Sequence, residues 1–159
     1  MPIIIDGYNL LRWVERLDPV YAAIDEASLC RMISQYLIRT RTHAQVIFDG
    51  IGPPDKRELA NIANMEVYFS GQDREADDII EEKILESSAP KGLVIVSSDR
   101  RIRAAAGKRK ATSIKSDYFW LSLIEQLDRK KPTPEPQEKR NGISESETDQ
   151  WLDMFGLDE

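Results

Sequence analysis

The run Ile3-Ile4-Ile5-Asp6-Gly7-Tyr8-Asn9-Leu10 decides how the chain is read. Three consecutive β-branched residues are stiff at χ1 and suit a pleated backbone. An apolar triplet without polar alternation suits a strand covered on both faces, as in a parallel sheet. A carboxylate and a glycine then stop the run. The same arrangement returns at residues 46–48, which run into Asp49-Gly50, and a related one at residues 93–96, which run through Ser97-Ser98 into Asp99. Residues 66–69 alternate and suit a strand nearer an edge, and a weaker fifth strand lies near residues 111–114.

Helical spacing fills the intervals. Leu29, Met32, Ile33, Tyr36 and Leu37 predict an amphipathic helix over residues 26–42, with Asp25 as its N-cap. Ile79, Ile80 and Ile84 predict another over residues 76–85. One more follows Asp99, and a last one covers residues 117–127 with Ser116 as a candidate cap. Strands that alternate with helices predict an α/β fold, a parallel doubly wound sheet with helices on both faces. In such sheets functional groups gather past the carboxyl ends of the strands.

The 159 residues suffice for one domain with a sizeable core. No run of about 18 apolar residues is present, so no membrane contact is expected. The N-terminus has no basic region or cleavage site of a signal peptide. The single cysteine, Cys30, has no partner for an internal disulfide and reads as a buried or half-buried structural thiol. With one histidine, a zinc site of the usual Cys/His type is not expected, and the compartment reads as a reducing cytoplasm. The net charge of -6 belongs to residues 132–159, where eight acids face two bases, while the body holds twenty of each. Residues 1–130 read as the folded domain, and 131–148 as a proline-rich, acidic, disordered linker. Residues 149–159, with Trp151, Leu152, Met154, Phe155 and Leu157, read as a tail that docks on its own domain or binds a protein partner.

Asp6, Asp49 and Asp99 each close a predicted strand at one edge of the sheet, and Glu75-Ala76-Asp77-Asp78 opens the helix after the alternating strand. Carboxylates brought together repel, and some must hold a proton unless a cation intervenes. Mg²⁺ or Mn²⁺ suits such oxygen donors and supports phosphodiester hydrolysis without a histidine. Each acid also has a plainer role. Asp6 and Asp99 could cap the helices that follow, Asp49 could make a turn, and acids at a helix N-terminus are favourable in any case. Because Ile79, Ile80 and Ile84 must face the sheet, Glu75, Asp77 and Asp78 cannot all point at one site.

Ile4-Ile5-Asp6-Gly7-Tyr8-Asn9-Leu10 resembles the opening motif of NYN domains, which belong to the PIN-like nucleases. Residues 67–70, 75–81 and 94–99 resemble the later blocks of the YacP-like NYN branch, and Lys115-Ser116 fits as well. The resemblance covers roughly residues 2–128. It implies a three-layer α/β/α PIN-like (Rossmann-like) fold with a central, mainly parallel sheet of four to five strands. It also implies a Mg²⁺- or Mn²⁺-dependent endoribonuclease. By position, Asp6, Asp77 and Asp99 match the family acids that hold metal and catalyse, with Asn9 orienting a carboxylate or a water. Asp49 ranks as a further metal ligand, and Asp78, Ser97 and Ser98 as supporting residues. The branch includes a ribosome-associated enzyme that cuts messenger RNA, so RNA and the ribosome are the expected partners.

Arg100, Arg101, Arg103, Lys108, Arg109 and Lys110 follow the proposed metal edge and suit RNA phosphates, as do Arg39 and Arg41. A solvated face, or in the case of Arg39 and Arg41 the helix dipole, is the plainer alternative. Tyr8 could stack on a base, Trp13 reads as core, and His43 as a surface residue. A catalytically silent RNA- or ribosome-binding module is the competing function. The absence of a Walker A loop excludes a P-loop NTPase.

Overall fold

The structure is a computed structural model that describes residues 2–129. The linker and tail expected at 131–148 and 149–159 lie outside the described residues. In chain order the elements are β1 (Pro2–Asp6), α1 (Gly7–Leu17), α2 (Glu26–Thr40), β2 (His43–Phe48), β3 (Met65–Phe69), α3 (Ala76–Glu86), β4 (Val94–Val96), α4 (Arg100–Lys108), β5 (Thr112–Ile114) and α5 (Ser116–Asp128). All strands pair in parallel, in the order β3-β2-β1-β4-β5. The alternating strand β3 is an edge strand, as its pattern requires.

Strand alternation assigns the helices to faces. Ile3, Ile5, Val46, Phe48, Val94 and Val96 share one core with Leu10 and Val14 of α1, Leu29 and Ile33 of α2, and Phe119 and Trp120 of α5. Ile4, Ile47 and Ile95 point the other way, onto Ile80 and Ile84 of α3 and Ile102 and Ala106 of α4. Each large aliphatic side chain so removed from water contributes about 1.5–3 kcal/mol. The apolar triplet of β1 therefore anchors both helical layers, and the class is the three-layer α/β/α sandwich. Cys30 is fully buried in the first core, where burial pushes its thiol up to about 12.

Helix α1 lies outside the helices foreseen from spacing. It starts at the residue after Asp6, with Leu10 and Val14 as its fully buried stripe. The turn from strand to helix has no loop, and a Cβ at Gly7 would run into the Phe48 ring. Glycine is what permits this approach. Asp25 does cap α2, accepting from Ser28 N–H at 2.8 Å. Ser116 is not a cap: Lys115 holds that position, and Ser116 is the first helical residue.

Candidate active site at the sheet switch point

The strand order reverses direction between β1 and β4, and a doubly wound sheet opens a crevice at the carboxyl ends of such a pair. Asp6 closes β1, and Ser97–Asp99 follow β4. The register sets Ile5 beside Val96, so Asp6 stands level with Ser97. Asp6 shares the sheet face of Ile4, the face covered by α3 and α4, and the N-terminal turns of these helices carry Asp77 and Asp99. Residues 71 and 93 positions apart from Asp6 thus converge on it because of strand parity.

Asp6 is only 7% exposed. Burial pushes its carboxyl up to about 6, opposed by the Ser97 hydrogen bond, reinforced by the charges of Asp77 and Asp99, and opposed again by the Asn9 backbone. Asp77 is half-buried, and its carboxyl is also raised. Burial is the main cause, followed by Asp99; Arg101 lowers it, and Glu75 and Asp49 raise it. The three acids therefore feel one another's charge.

Hydrogen bonds fix the frame around them. Ser97 is fully buried, and its hydroxyl donates to Asp6 Oδ2 at 2.9 Å and accepts from Asp99 N–H at 3.1 Å. Asp99 Oδ1 accepts from Arg101 N–H at 2.8 Å and Ile102 N–H at 3.3 Å, so it caps α4. Asp49 Oδ1 accepts from Ala76 N–H at 3.0 Å and lies 3.4 Å from the Ser70 hydroxyl, which makes it a remote cap of α3. Asp78 Oδ2 accepts from Glu75 N–H at 3.2 Å, and its other oxygen is bound by Arg101 at 2.8 Å. Asn9 Oδ1 accepts from Ser98 N–H at 2.9 Å. The capping role considered for Asp99 is therefore present, whereas the Asp6 side chain makes no cap bond to α1 and is turned to Ser97 instead.

Among the described residues, no group of three or more His, Cys, Asp or Glu is arranged to hold a metal ion as it stands. The four-acid shell expected around Asp6, Asp49, Asp77 and Asp99 is not a closed cage, since Asp49 and Asp99 are turned to helix N-termini. The donor set still fits Mg²⁺ or Mn²⁺. It consists of hard oxygens that repel one another, and Mg²⁺ takes one or two carboxylates, several waters and substrate phosphate rather than an all-protein cage.

The basic residues divide. Arg101 binds Asp78 and Glu81, the latter at 2.6 Å, and so ties α4 to α3. Arg109 donates to the carbonyls of Leu85 at 2.5 Å and Ser87 at 3.0 Å, closing the end of α3. Arg103 is half-buried with its Nε shielded from water. Arg100, Lys108 and Lys110 are exposed. Arg39, considered for RNA, donates to the carbonyls of Gln126 at 2.7 Å and Leu127 at 3.1 Å at the end of α5. Tyr8 packs on Phe48, with ring centroids 4.8 Å apart, and donates to Glu26 Oε2 at 2.7 Å. Burial, then Glu26, pushes its phenol up to about 12. Trp13 is not core: it is half-buried, with the Arg16 guanidinium 5.6 Å from its ring centroid. His43 is at the surface, 3.9 Å from Glu66. Ser116, a candidate cap that also falls within the family resemblance, has its hydroxyl on Asn9 instead; no local signal pairs residues 107 positions apart.

A five-stranded parallel sheet of this order, with acids at the switch point, is a PIN-like fold. The chain belongs to the YacP-like NYN domain family, whose model matches residues 3–155. That match runs past residue 128, where the sequence resemblance was expected to stop. The family is one of PIN-like nucleases, and membership suggests ribonuclease activity. Two similar solved structures are of Rae1 (YacP) from Bacillus subtilis. One is 18% identical, covering 96% of this chain and 86% of that one at a TM-score of 0.64. The other, a tryptophan-to-leucine variant, is 19% identical, covering 97% and 91% at a TM-score of 0.60. No curated protein matches the chain. Among the described residues no helix is long and apolar enough to cross a membrane.

Proposed function

We propose that this chain is a metal-dependent endoribonuclease that hydrolyses phosphodiester bonds in single-stranded RNA. The mutual repulsion of Asp6, Asp77 and Asp99 at the switch point carries this reading. A binding module gains nothing from like charges held together, whereas a hydrolase that recruits a divalent cation does. Asp6, Asp77 and Asp99 hold the ion directly or through water, and Asp49 and Asp78 shape the field from the start of α3. Bound Mg²⁺ or Mn²⁺ supplies charge neutralisation at the scissile phosphate and a water of lowered pKa. Ser97 holds Asp6 and the Asp99 backbone in register, and Asn9 and Ser98 hold the loop that carries them. Arg100, Lys108 and Lys110 take the RNA backbone, and Arg101 sets the α3–α4 spacing. The expected setting is the cytoplasm, with messenger RNA on the ribosome as the substrate to test first.

The capping bonds of Asp49 and Asp99 favour a second reading, a catalytically silent RNA- or ribosome-binding module. A metal-titrated assay on labelled single-stranded RNA, comparing the native chain with Asp77→Asn, separates the two. The nuclease reading requires Mg²⁺- or Mn²⁺-dependent cuts by the native chain and a loss of at least about 100-fold in the variant, with RNA binding kept. RNA bound by both chains and cut by neither, at any divalent ion, establishes the silent module.

A further inference from the structure

We propose that Ser116 is a positioning residue of the acidic site: through Asn9 its buried hydroxyl holds the Ser97–Asp99 segment in place. The role in catalysis rests on the nuclease reading above. Ser116 is fully buried at the first position of α5. A hydroxyl near a helix start ordinarily caps that helix. Here it donates to Asn9 Oδ1 at 2.7 Å instead, and the Ser116 N–H donates to Ser98 Oγ at 3.0 Å. Ser98 N–H donates to the same Asn9 oxygen at 2.9 Å. These three bonds close a ring through the start of α1, the loop after β4 and the start of α5.

The chemistry fixes the direction of each bond. A backbone amide can only donate, so the Asn9 atom facing Ser98 is the oxygen. The Ser116 hydroxyl must then donate to that oxygen too. A flipped Asn9 amide would set its NH₂ against the Ser98 N–H, so the backbone donor fixes the orientation and the NH₂ is kept for another acceptor. The braced segment is the one that sets the acids: Ser97 Oγ binds Asp6, and Asp99 begins α4. Asn9 and Ser116 are 107 residues apart, Asn9 and Ser98 89 apart, so no local turn does this work. Without the Ser116 hydroxyl the Asn9 oxygen keeps one donor, and the loop after β4 gains freedom where Asp6 and Asp99 must share an ion. Partners one step behind metal ligands typically change affinity or activity by about 10- to 100-fold.

The test compares the native chain with Ser116→Ala, Ser116→Thr, Asn9→Ala and the Ser116→Ala/Asn9→Ala pair. Mn²⁺ affinity by calorimetry, kcat and KM on RNA, and amide exchange at Ser98 and Asp99 are read together. Ser116→Ala is expected to weaken Mn²⁺ binding and lower kcat by about 10- to 100-fold with little change in KM. It is also expected to speed exchange at both amides, and Ser116→Thr, which keeps the hydroxyl, to recover most of each loss. The pair is expected to lose no more than Asn9→Ala alone. If the alanine variant does not fold, Ser116→Cys, a poor donor, takes its place with the same outcomes. Native exchange at Ser98 and native Mn²⁺ affinity in Ser116→Ala, or losses that multiply in the pair, overturn the proposal. A native chain that neither binds Mn²⁺ nor cuts RNA overturns the nuclease reading instead, and exchange at Ser98 and Asp99 still decides whether Ser116 braces the loop.

Discussion

Ser97 Oγ lies 2.9 Å from Asp6 Oδ2, donating across 91 residues of chain between the ends of two neighbouring parallel strands. The same oxygen accepts from Asp99 N–H, so one buried hydroxyl couples a strand-end acid to the start of a helix. Ser97 opposes the rise in the Asp6 pKa that burial causes.

Ser97→Ala removes that opposition. The Asp6 carboxyl is then expected to rise further above about 6, because a donor to the charged form has been lost. The acid limb of the RNA-cleavage pH profile should move to higher pH, with kcat at neutral pH down about 10- to 100-fold. An unmoved acid limb in Ser97→Ala would show that Asp6 ionisation does not limit the rate.

Asp6 costs the fold stability in its charged form. Its folded pKa of about 6 lies above the ordinary 3.8, so the folded state binds more protons between those values. Stability is therefore highest below about pH 4 as far as this group is concerned, and falls as pH rises through 6. Asp6→Asn is expected to stabilise the fold by about 2–3 kcal/mol above pH 6, an advantage that shrinks toward pH 4. Urea denaturation at pH 7.5 and 4.5 checks this. Mn²⁺ at pH 7.5 should raise the midpoint of the native chain and leave that of Asp6→Asn nearly unchanged.

Lys108 and Lys110 should behave differently from Arg101. Replacing both lysines with alanine is expected to weaken RNA binding and reduce its salt slope by about 1 to 1.5, with no change in melting temperature. Arg101→Ala should instead cost up to about 1 kcal/mol of stability, since its half-exposed guanidinium joins Asp78 and Glu81 of α3. Filter binding across a salt series, beside thermal melts, separates the two. An equal loss of RNA affinity in both variants would contradict the division.

Arg39→Ala tests a residue that charge alone would assign to RNA. Its guanidinium holds carbonyls at the end of α5, so the loss should be about 1 kcal/mol of stability. RNA affinity and cleavage should stay within twofold of native. A clear drop in RNA affinity with an unchanged melting curve would place Arg39 on the substrate path.

The local chemistry of the chain determined a good deal by itself. Short, β-branched-rich apolar runs leading into Asp6, Asp49 and Asp99 suit strands buried on both faces. Helical spacing in 26–42 and 76–85 follows from the same short-range rules, so the layer order and the acids at strand ends were legible. The extent of helix α1 was not, because its fully buried apolar stripe is only Leu10 and Val14, and its immediate start is permitted by a glycine lying against a ring from another strand. Which basic residues are committed to the fold was decided by tertiary structure, since the carbonyls and carboxylates that bind Arg39, Arg101 and Arg109 come from other helices. The ring joining Asn9, Ser98 and Ser116 was likewise decided there. Propensity and periodicity act over a few residues, whereas a hydrogen bond between segments some hundred residues apart exists only once the sheet has set their distance.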